Sequence, residues 1–384
     1  MSGRAAPEIT FEVLTSSKRV PEAVRTAMLE SPGFGQVFTD HMISLRWTAE
    51  NGWHDGRLQP YGPLVLDPAT SVLHYSQEIF EGMKAYRQES GPIVMFRPYM
   101  NAVRFQRSAA RMAMPELPEE AFVQAIELLV TQDKDWVPTS TAQSLYLRPF
   151  MISTSVGLGV GRPASAYQFM VIASPSGGVF PSRSAGPAQL SGAAPVVRAV
   201  SVWLAEDYTR AARGGTGEAK TGGNYAAAFA GQQQALDEGC DQVVWLDAAE
   251  HRWVEEMGGM NLFFVYGTGS DARLVTPPLS GSLLPGVTRD SMLTLGPDLG
   301  IPTSEAPIAV DQWRADCLSG EISEVFACGT AAVITPVGAV KGKQTSWQIG
   351  DGQPGPVTKR LREELLGIQF GRLPDPHGWI HKII

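Results

Sequence analysis

Short apolar runs rich in β-branched and aromatic residues alternate along this chain with longer stretches of helical spacing. Val72 to Tyr75, Pro92 to Phe96, Ser144 to Ser153 and Tyr167 to Ala173 read as strands, whereas Asn101 to Met114 and Pro118 to Thr131 repeat apolar residues at helical intervals. From Ser174 to Pro195 the composition shifts to Ser, Gly, Ala and Pro, with few large side chains to bury, which marks a connection between domains. Beyond it, Val196 to Leu204, Gln242 to Leu246, Asn261 to Tyr266 and Ile322 to Ala327 read as strands. Ala226 to Leu236 and Val357 to Phe370 read as helices, and another helix begins at Thr288. The alternation predicts a mixed α/β (α+β) chain in two lobes, residues 1–174 and 196–384, joined by 175–195. A cleft between the lobes is the default ligand site.

The length of 384 residues suits two domains, and 43% hydrophobic with 18% charged residues supplies ample core. A net charge of −8 without a basic run argues against nucleic acid as a partner. The first residues lack the apolar core of a secretory signal, and no apolar run is long enough to cross a bilayer. Three separated cysteines with no CxxC pair, and six scattered histidines, fit a reducing cytoplasm and predict no metal site.

Only one of the eight lysines lies in a glycine-rich run, Gly214-Gly215-Thr216-Gly217-Glu218-Ala219-Lys220-Thr221-Gly222-Gly223-Asn224-Tyr225. An amine surrounded by apolar backbone is disfavoured as a cation and becomes available as a nucleophile for an imine; the same run also reads as a surface turn. Leu284-Pro285-Gly286-Val287-Thr288-Arg289 sets a turn before a helix start, whose unpaired N–H groups suit an anion; it also reads as a turn with Thr288 as cap. Cys328-Gly329-Thr330-Ala331-Ala332 offers a second cradle of small and hydroxyl residues, or simply the end of a strand. Val254-Glu255-Glu256-Met257-Gly258-Gly259 sets acids beside glycines between apolar strands, either a solvated hairpin or a carboxylate held for a cationic partner. Taken together, an imine-forming lysine, two anion cradles and an acid for a ring N–H⁺ point to pyridoxal 5′-phosphate.

Motifs in order along the chain sharpen this reading. Leu73-His74-Tyr75, Phe80-Glu81-Gly82, Phe96-Arg97-Pro98, Tyr146-Leu147-Arg148-Pro149, Lys220 to Tyr225, Glu256-Met257-Gly258-Gly259-Met260-Asn261-Leu262-Phe263, Leu284 to Arg289 and Gly329-Thr330-Ala331 together resemble the branched-chain amino acid aminotransferases, in the fold type IV (class IV) group of pyridoxal-phosphate enzymes. The resemblance runs from about Thr39 to Trp379. It implies a smaller N-terminal α/β domain, a larger β-barrel-like C-terminal domain, a homodimer, and ping-pong transfer of the amino group of Leu, Ile or Val to 2-oxoglutarate. It further implies that Lys220 carries the imine and moves the proton, that Tyr225 meets the cofactor's phenolic oxygen, that Glu256 pairs with its ring nitrogen and that Leu284 packs on the ring. The phosphate falls to Arg104, the Gly286-Val287-Thr288 turn and Thr330; the substrate carboxylate to Thr330 and Ala331. Tyr75, Phe80 and Tyr146 line an apolar pocket, Tyr75 reaching toward a partner subunit, and Arg148 receives the distal carboxylate of glutamate.

Two departures stand out. The tyrosine that commonly precedes a phenylalanine in the family's connecting loop is replaced by Val179, which implies a roomier or altered substrate pocket. The CxxC of some animal members is absent, Ala332 and Thr335 standing there. The first alternative is an aminotransferase of the same family with an altered substrate range, taking larger apolar, aromatic or specialised-pathway amino acids. D-amino acid aminotransferases and aminodeoxychorismate lyases, which share the catalytic lysine, come after it, with a non-catalytic cofactor binder the reading from another class.

Overall fold

The computed structural model describes residues 9–177 and 198–384. The chain forms two compact units: one holds the residues before the connection together with Pro376–Ile384, the other the residues up to Asp375.

The first unit is built on a nine-stranded sheet. Its strands are β1 (Phe11–Val13), β2 (His41–Thr48), β3 (Gly52–Pro60), β4 (Glu78–Phe80), β5 (Met83–Arg87), β6 (Ile93–Phe96), β7 (Ser144–Ser153), β8 (Ala166–Ser176) and a C-terminal strand, Ile380–Lys382. The order is β1-β3-β2-β8-β7-β5-β6 and then the C-terminal strand, with β4 on β7. The helices are α1 (Glu22–Glu30), α2 (Val72–Tyr75), α3 (Pro98–Arg111) and α4 (Glu119–Gln132). Phe105 of α3, Phe122 of α4 and Phe169 of β8 meet with ring centroids 5.3 to 6.0 Å apart at the centre of the core. Alternation along β7 sends Leu145, Leu147 and Met151 into that core, so that Tyr146 and Arg148 stand on the other face.

The second unit carries β9 (Val200–Ala205), β10 (Gln242–Leu246), β11 (Val254–Met257), β12 (Met260–Tyr266), β13 (Arg273–Thr276), β14 (Thr303–Glu305), β15 (Ile322–Gly329), β16 (Val333–Lys341) and β17 (Ser346–Gln348). The order β11-β10-β9-β16-β15-β12 closes on itself through pairing of β11 with β12, giving a six-stranded barrel, which β13, β14 and β17 extend. Around it lie α5 (Gly222–Asp237), α6 (Val287–Asp298), α7 (Val310–Ser319) and α8 (Pro356–Gln369). The barrel interior is filled by Val202, Leu204, Val244, Leu262, Phe264, Val325 and Val337.

Several sequence expectations are corrected. Val72–Tyr75 is not a strand but one helical turn, closed by a bond from Ser76 N–H to Val72 O with Ser76 in left-handed backbone; Leu73 and Tyr75 are exposed and have no sheet face to cover. Ser174–Ser176 does not belong to the connection but continues β8 against Ser144 and its neighbours. The helix placed over Asn101 to Met114 starts earlier, at Pro98, because proline suits a first helical turn.

Candidate active site

The lysine run is a braced loop. Asn224, in the first turn of α5, donates from Nδ2 to Thr216 O (2.7 Å) and Ala219 O (2.9 Å), and accepts from Thr216 Oγ1 (2.7 Å). The loop is thereby tied to the helix that follows it. Lys220 Nζ donates to the Tyr225 hydroxyl at 3.1 Å.

Glu256 lies on β11 and Leu284 in the segment before α6. The carboxylate, 2% exposed, accepts from Leu284 N–H (2.8 Å) and from Arg210 Nη2 (2.5 Å) through the same oxygen, Oε1. Burial pushes this carboxyl up from the ordinary glutamate range, while Arg210, the Leu284 N–H and Lys220 pull it back. The acid is therefore buried with its partners, and the solvated-hairpin reading does not hold for Glu256, nor for its buried neighbour Glu255. Tyr225, Glu256, Leu284, Gly258, Gly259 and Arg210 line one cavity of about 190 Å³.

Gly286 caps α6 in extended backbone, and Val287 and Thr288 begin the helix, so that Thr288 is not the cap itself. The first N–H groups of a helix have no partner within it. Asn261 secures this turn through a bond from Nδ2 to Leu284 O (3.1 Å). A Cβ on Gly286 would stand 2.2 Å from Asn261 Oδ1, so glycine is needed for that approach. Thr330 and Ala331 occupy the turn between paired Gly329 and Val333, and Val333 has φ +64°, strained for a β-branched residue.

A second group lies in the first unit. Arg104 of α3 meets Glu81 with both ends of its fork, Nε to Oε1 at 2.7 Å and Nη2 to Oε2 at 2.8 Å, and Asn101 Nδ2 adds a bond to Oε2 at 2.8 Å. Tyr146 and Arg148 share a face of β7, with Arg148 Nη2 donating to the Tyr146 hydroxyl (3.1 Å) and its guanidinium 4.7 Å from the Phe80 ring centre. Arg148 Nε is buried and has no hydrogen-bond acceptor among the described residues.

Sequence reasoning thus places Lys220, Tyr225, Glu256 and Leu284 in one unit, and Phe80, Tyr146 and Arg148 in direct contact in the other. Tyr75 makes no hydrogen bond or ring contact with that trio; its hydroxyl donates to Leu158 O at 2.7 Å. Val179 lies outside the described residues. Arg210, Asn224 and Glu81 were missed as site residues. Asn224 and Glu81 stood inside the quoted motifs, whereas nothing local distinguishes Arg210 from a surface arginine.

The donor set fits pyridoxal 5′-phosphate: an amine beside a phenol, a buried carboxylate on the wall of the same cavity, and a helix start able to take a phosphate.

A model of the amino-transferase class IV family matches residues 78–340. The chain belongs to the class IV aminotransferases. It is 54% identical to the branched-chain-amino-acid aminotransferase of Mycolicibacterium smegmatis over 98% of each chain. It is 45% identical to branched-chain-amino-acid transaminase 1 of Bacillus subtilis, over 91% of this chain and 93% of that one. The solved branched-chain amino acid aminotransferase from Escherichia coli superposes with TM-score 0.67 at 28% identity, covering 89% of this chain and 99% of that one. A T.th. enzyme of the same name, solved with pyridoxamine 5′-phosphate, gives TM-score 0.69 at 29% identity, over 88% and 98% of the two chains.

Proposed function

We infer that this class IV aminotransferase is a pyridoxal-phosphate-dependent branched-chain amino acid aminotransferase. The carrying observation is Lys220 set against Tyr225 at 3.1 Å, beside a cavity walled by Tyr225, Glu256 and Leu284. Near full-length identity to enzymes of that name supports it. The cofactor, when bound, supplies an electron sink and a carrier for the amino group.

The chain's own residues do the rest. Lys220 Nζ would hold the cofactor through its aldehyde carbon and would move the proton at the substrate Cα. Tyr225 orients that amine and offers its hydroxyl to the cofactor's phenolic oxygen. Glu256 holds a proton at the ring nitrogen. Leu284 covers the ring, while Gly286, Val287, Thr288, Thr330 and Arg104 take the phosphate, Arg104 being presented by Glu81. Thr330 and Ala331 receive the substrate carboxylate.

We propose 2-oxoglutarate as the amino acceptor, in a ping-pong cycle. Phe80 and Tyr146 give an aliphatic side chain its apolar wall. The buried Arg148 Nε, without an acceptor, is the donor that the distal carboxylate of glutamate satisfies. A homodimer is part of the same proposal. Leu73, Tyr75, Val156, Leu158 and Val160 are exposed apolar residues on two segments that the Tyr75–Leu158 bond and the Thr70–Val156 bridge bring together, and such a surface calls for a partner. A cytoplasmic location is proposed with it; free cysteines support this among the described residues.

The test is the absorbance of the purified holoenzyme before and after L-leucine, then after 2-oxoglutarate. The expected result is loss of the long-wavelength band with leucine and its return with the oxo acid, neither occurring in Lys220→Ala. A band that leucine leaves unchanged overturns the substrate assignment.

A further inference from the structure

Arg210 belongs to no strand or helix, yet its side chain is 8% exposed. One nitrogen, Nη2, reaches three segments that the site depends on. It donates to Glu256 Oε1 on β11 at 2.5 Å, to Ser282 O before Leu284 at 2.9 Å, and to Gly217 O in the lysine loop at 3.4 Å. A buried guanidinium at such a crossing is costly unless its charge is matched, and Glu256, with a side chain 3% exposed, is the acid that matches it.

We propose that Arg210 is a positioning residue for the transamination chemistry: it fixes Glu256 Oε1, leaves Oε2 as the oxygen offered to the ring nitrogen, and fastens the lysine loop to the segment bearing Leu284. The inference rests on the function proposed above. The two oxygens of Glu256 divide the labour. Arg210 Nη2 and Leu284 N–H both land on Oε1. Rotation of the carboxylate would break both bonds, so the second oxygen is held in direction without being consumed.

Charge follows the same arrangement. Burial disfavours the ionised form of Glu256, and Glu255, the next residue on β11, is itself a buried acid. Arg210 and Lys220 are the cations that oppose this, and Tyr225 faces the same cavity. Without Arg210 the carboxyl takes up a proton at a higher pH than in the parent, and a neutral acid no longer holds a proton on the ring nitrogen. Lysine at the same place restores a charge but not the fork.

The experiment compares holoenzyme carrying Arg210→Gln, Arg210→Lys, Glu256→Gln and the double variant Arg210→Gln with Glu256→Gln. Four quantities are read: kcat for L-leucine against pH, the visible absorbance of the bound cofactor against pH, the pyridoxal 5′-phosphate dissociation constant of stripped protein by tryptophan fluorescence, and the thermal midpoint. The expected result for Arg210→Gln is a fall in kcat of about 10- to 100-fold, taking the range known for partners that orient metal ligands as the scale. That fall is partly recovered as pH rises, and the absorbance profile shifts with it. In the Glu256→Gln background the same substitution lowers kcat by less than about threefold, since coupled residues are not additive. Arg210→Lys regains part of the parent's pH profile.

A parent-like pH and absorbance profile in Arg210→Gln overturns the proposal. So does an equal fall in kcat on both backgrounds, because Arg210 then acts only as a brace. If Arg210→Gln does not fold, a lysine variant that folds with no change in any profile overturns it as well. A parent protein that never binds the cofactor defeats the functional reading itself, and is seen before any variant is made.

Discussion

A methyl group on Gly82 would stand 2.2 Å from the Tyr146 hydroxyl and 3.1 Å from the ring carbon that bears it. Tyr146 cannot keep its place beside such a group, and Arg148 Nη2 rests on that hydroxyl. Gly82→Ala is therefore expected to raise KM for leucine and glutamate together, with Tyr146→Phe restoring part of the loss by removing the nearest atom. Steady-state kinetics of the single and double variants check it, and an alanine variant with parental KM values would count against the packing argument. Glu255 gives a second prediction. Burial raises its carboxyl above the ordinary range despite bonds from Ser280 and Ser282, and Glu256 adds to the rise. Protonation is thus easier in the folded chain than in the unfolded one. Stability is present below the unfolded value and is lost as pH rises through the folded one. Glu255→Gln should flatten that decline, measured as urea midpoints from acid to neutral pH; an equally steep decline in the variant would refute it.

At the scale of elements, α8 depends on an acid from another element. Glu324 of β15 accepts from Val357 N–H at 3.0 Å and Thr358 N–H at 2.8 Å, the first donors of the helix. Negative charge at a helix start satisfies otherwise unpaired groups and meets the helix dipole. Glu324→Ala is expected to cost about 2 kcal/mol, the upper part of the range for a lost cap, read by denaturant unfolding. A change within ~0.5 kcal/mol would mean that water replaces the carboxylate. The same elements show what the sequence made legible. Ser144–Ser153 was readable to the residue, because a long run of large apolar and β-prone side chains fills both faces of β7. Val72–Tyr75 is not legible as a helix because four residues, three of them apolar, carry no period, and Ser76 rather than the run itself decides the turn. The end of the strand at Ser176 is hidden because serine and proline there suggest a loop, whereas the pairing with β7 overrides that local preference.

Across the whole molecule, Lys220, Tyr225 and Glu256 stand out in the sequence because glycines and asparagines lie close to each of them. Arg210 does not, since two of its three partners, Glu256 and Ser282, lie far along the chain and only the folded barrel brings them to it. The C-terminal strand was equally hidden. It pairs with β6, Trp379 sets its ring edge-on to Phe96 with centroids 5.5 Å apart, and Arg97 lies 4.8 Å from the Trp379 ring centre. That strand has a consequence for biosynthesis. On the ribosome, β6 emerges long before the strand that covers it, because the barrel unit is translated in between. At roughly 5–20 residues per second, the edge of the first sheet waits on the order of tens of seconds in nascent form. An uncovered edge invites pairing with other chains, so through this interval the strand Ile93–Phe96 is open to the wrong partner until Ile380–Lys382 arrives to cover it.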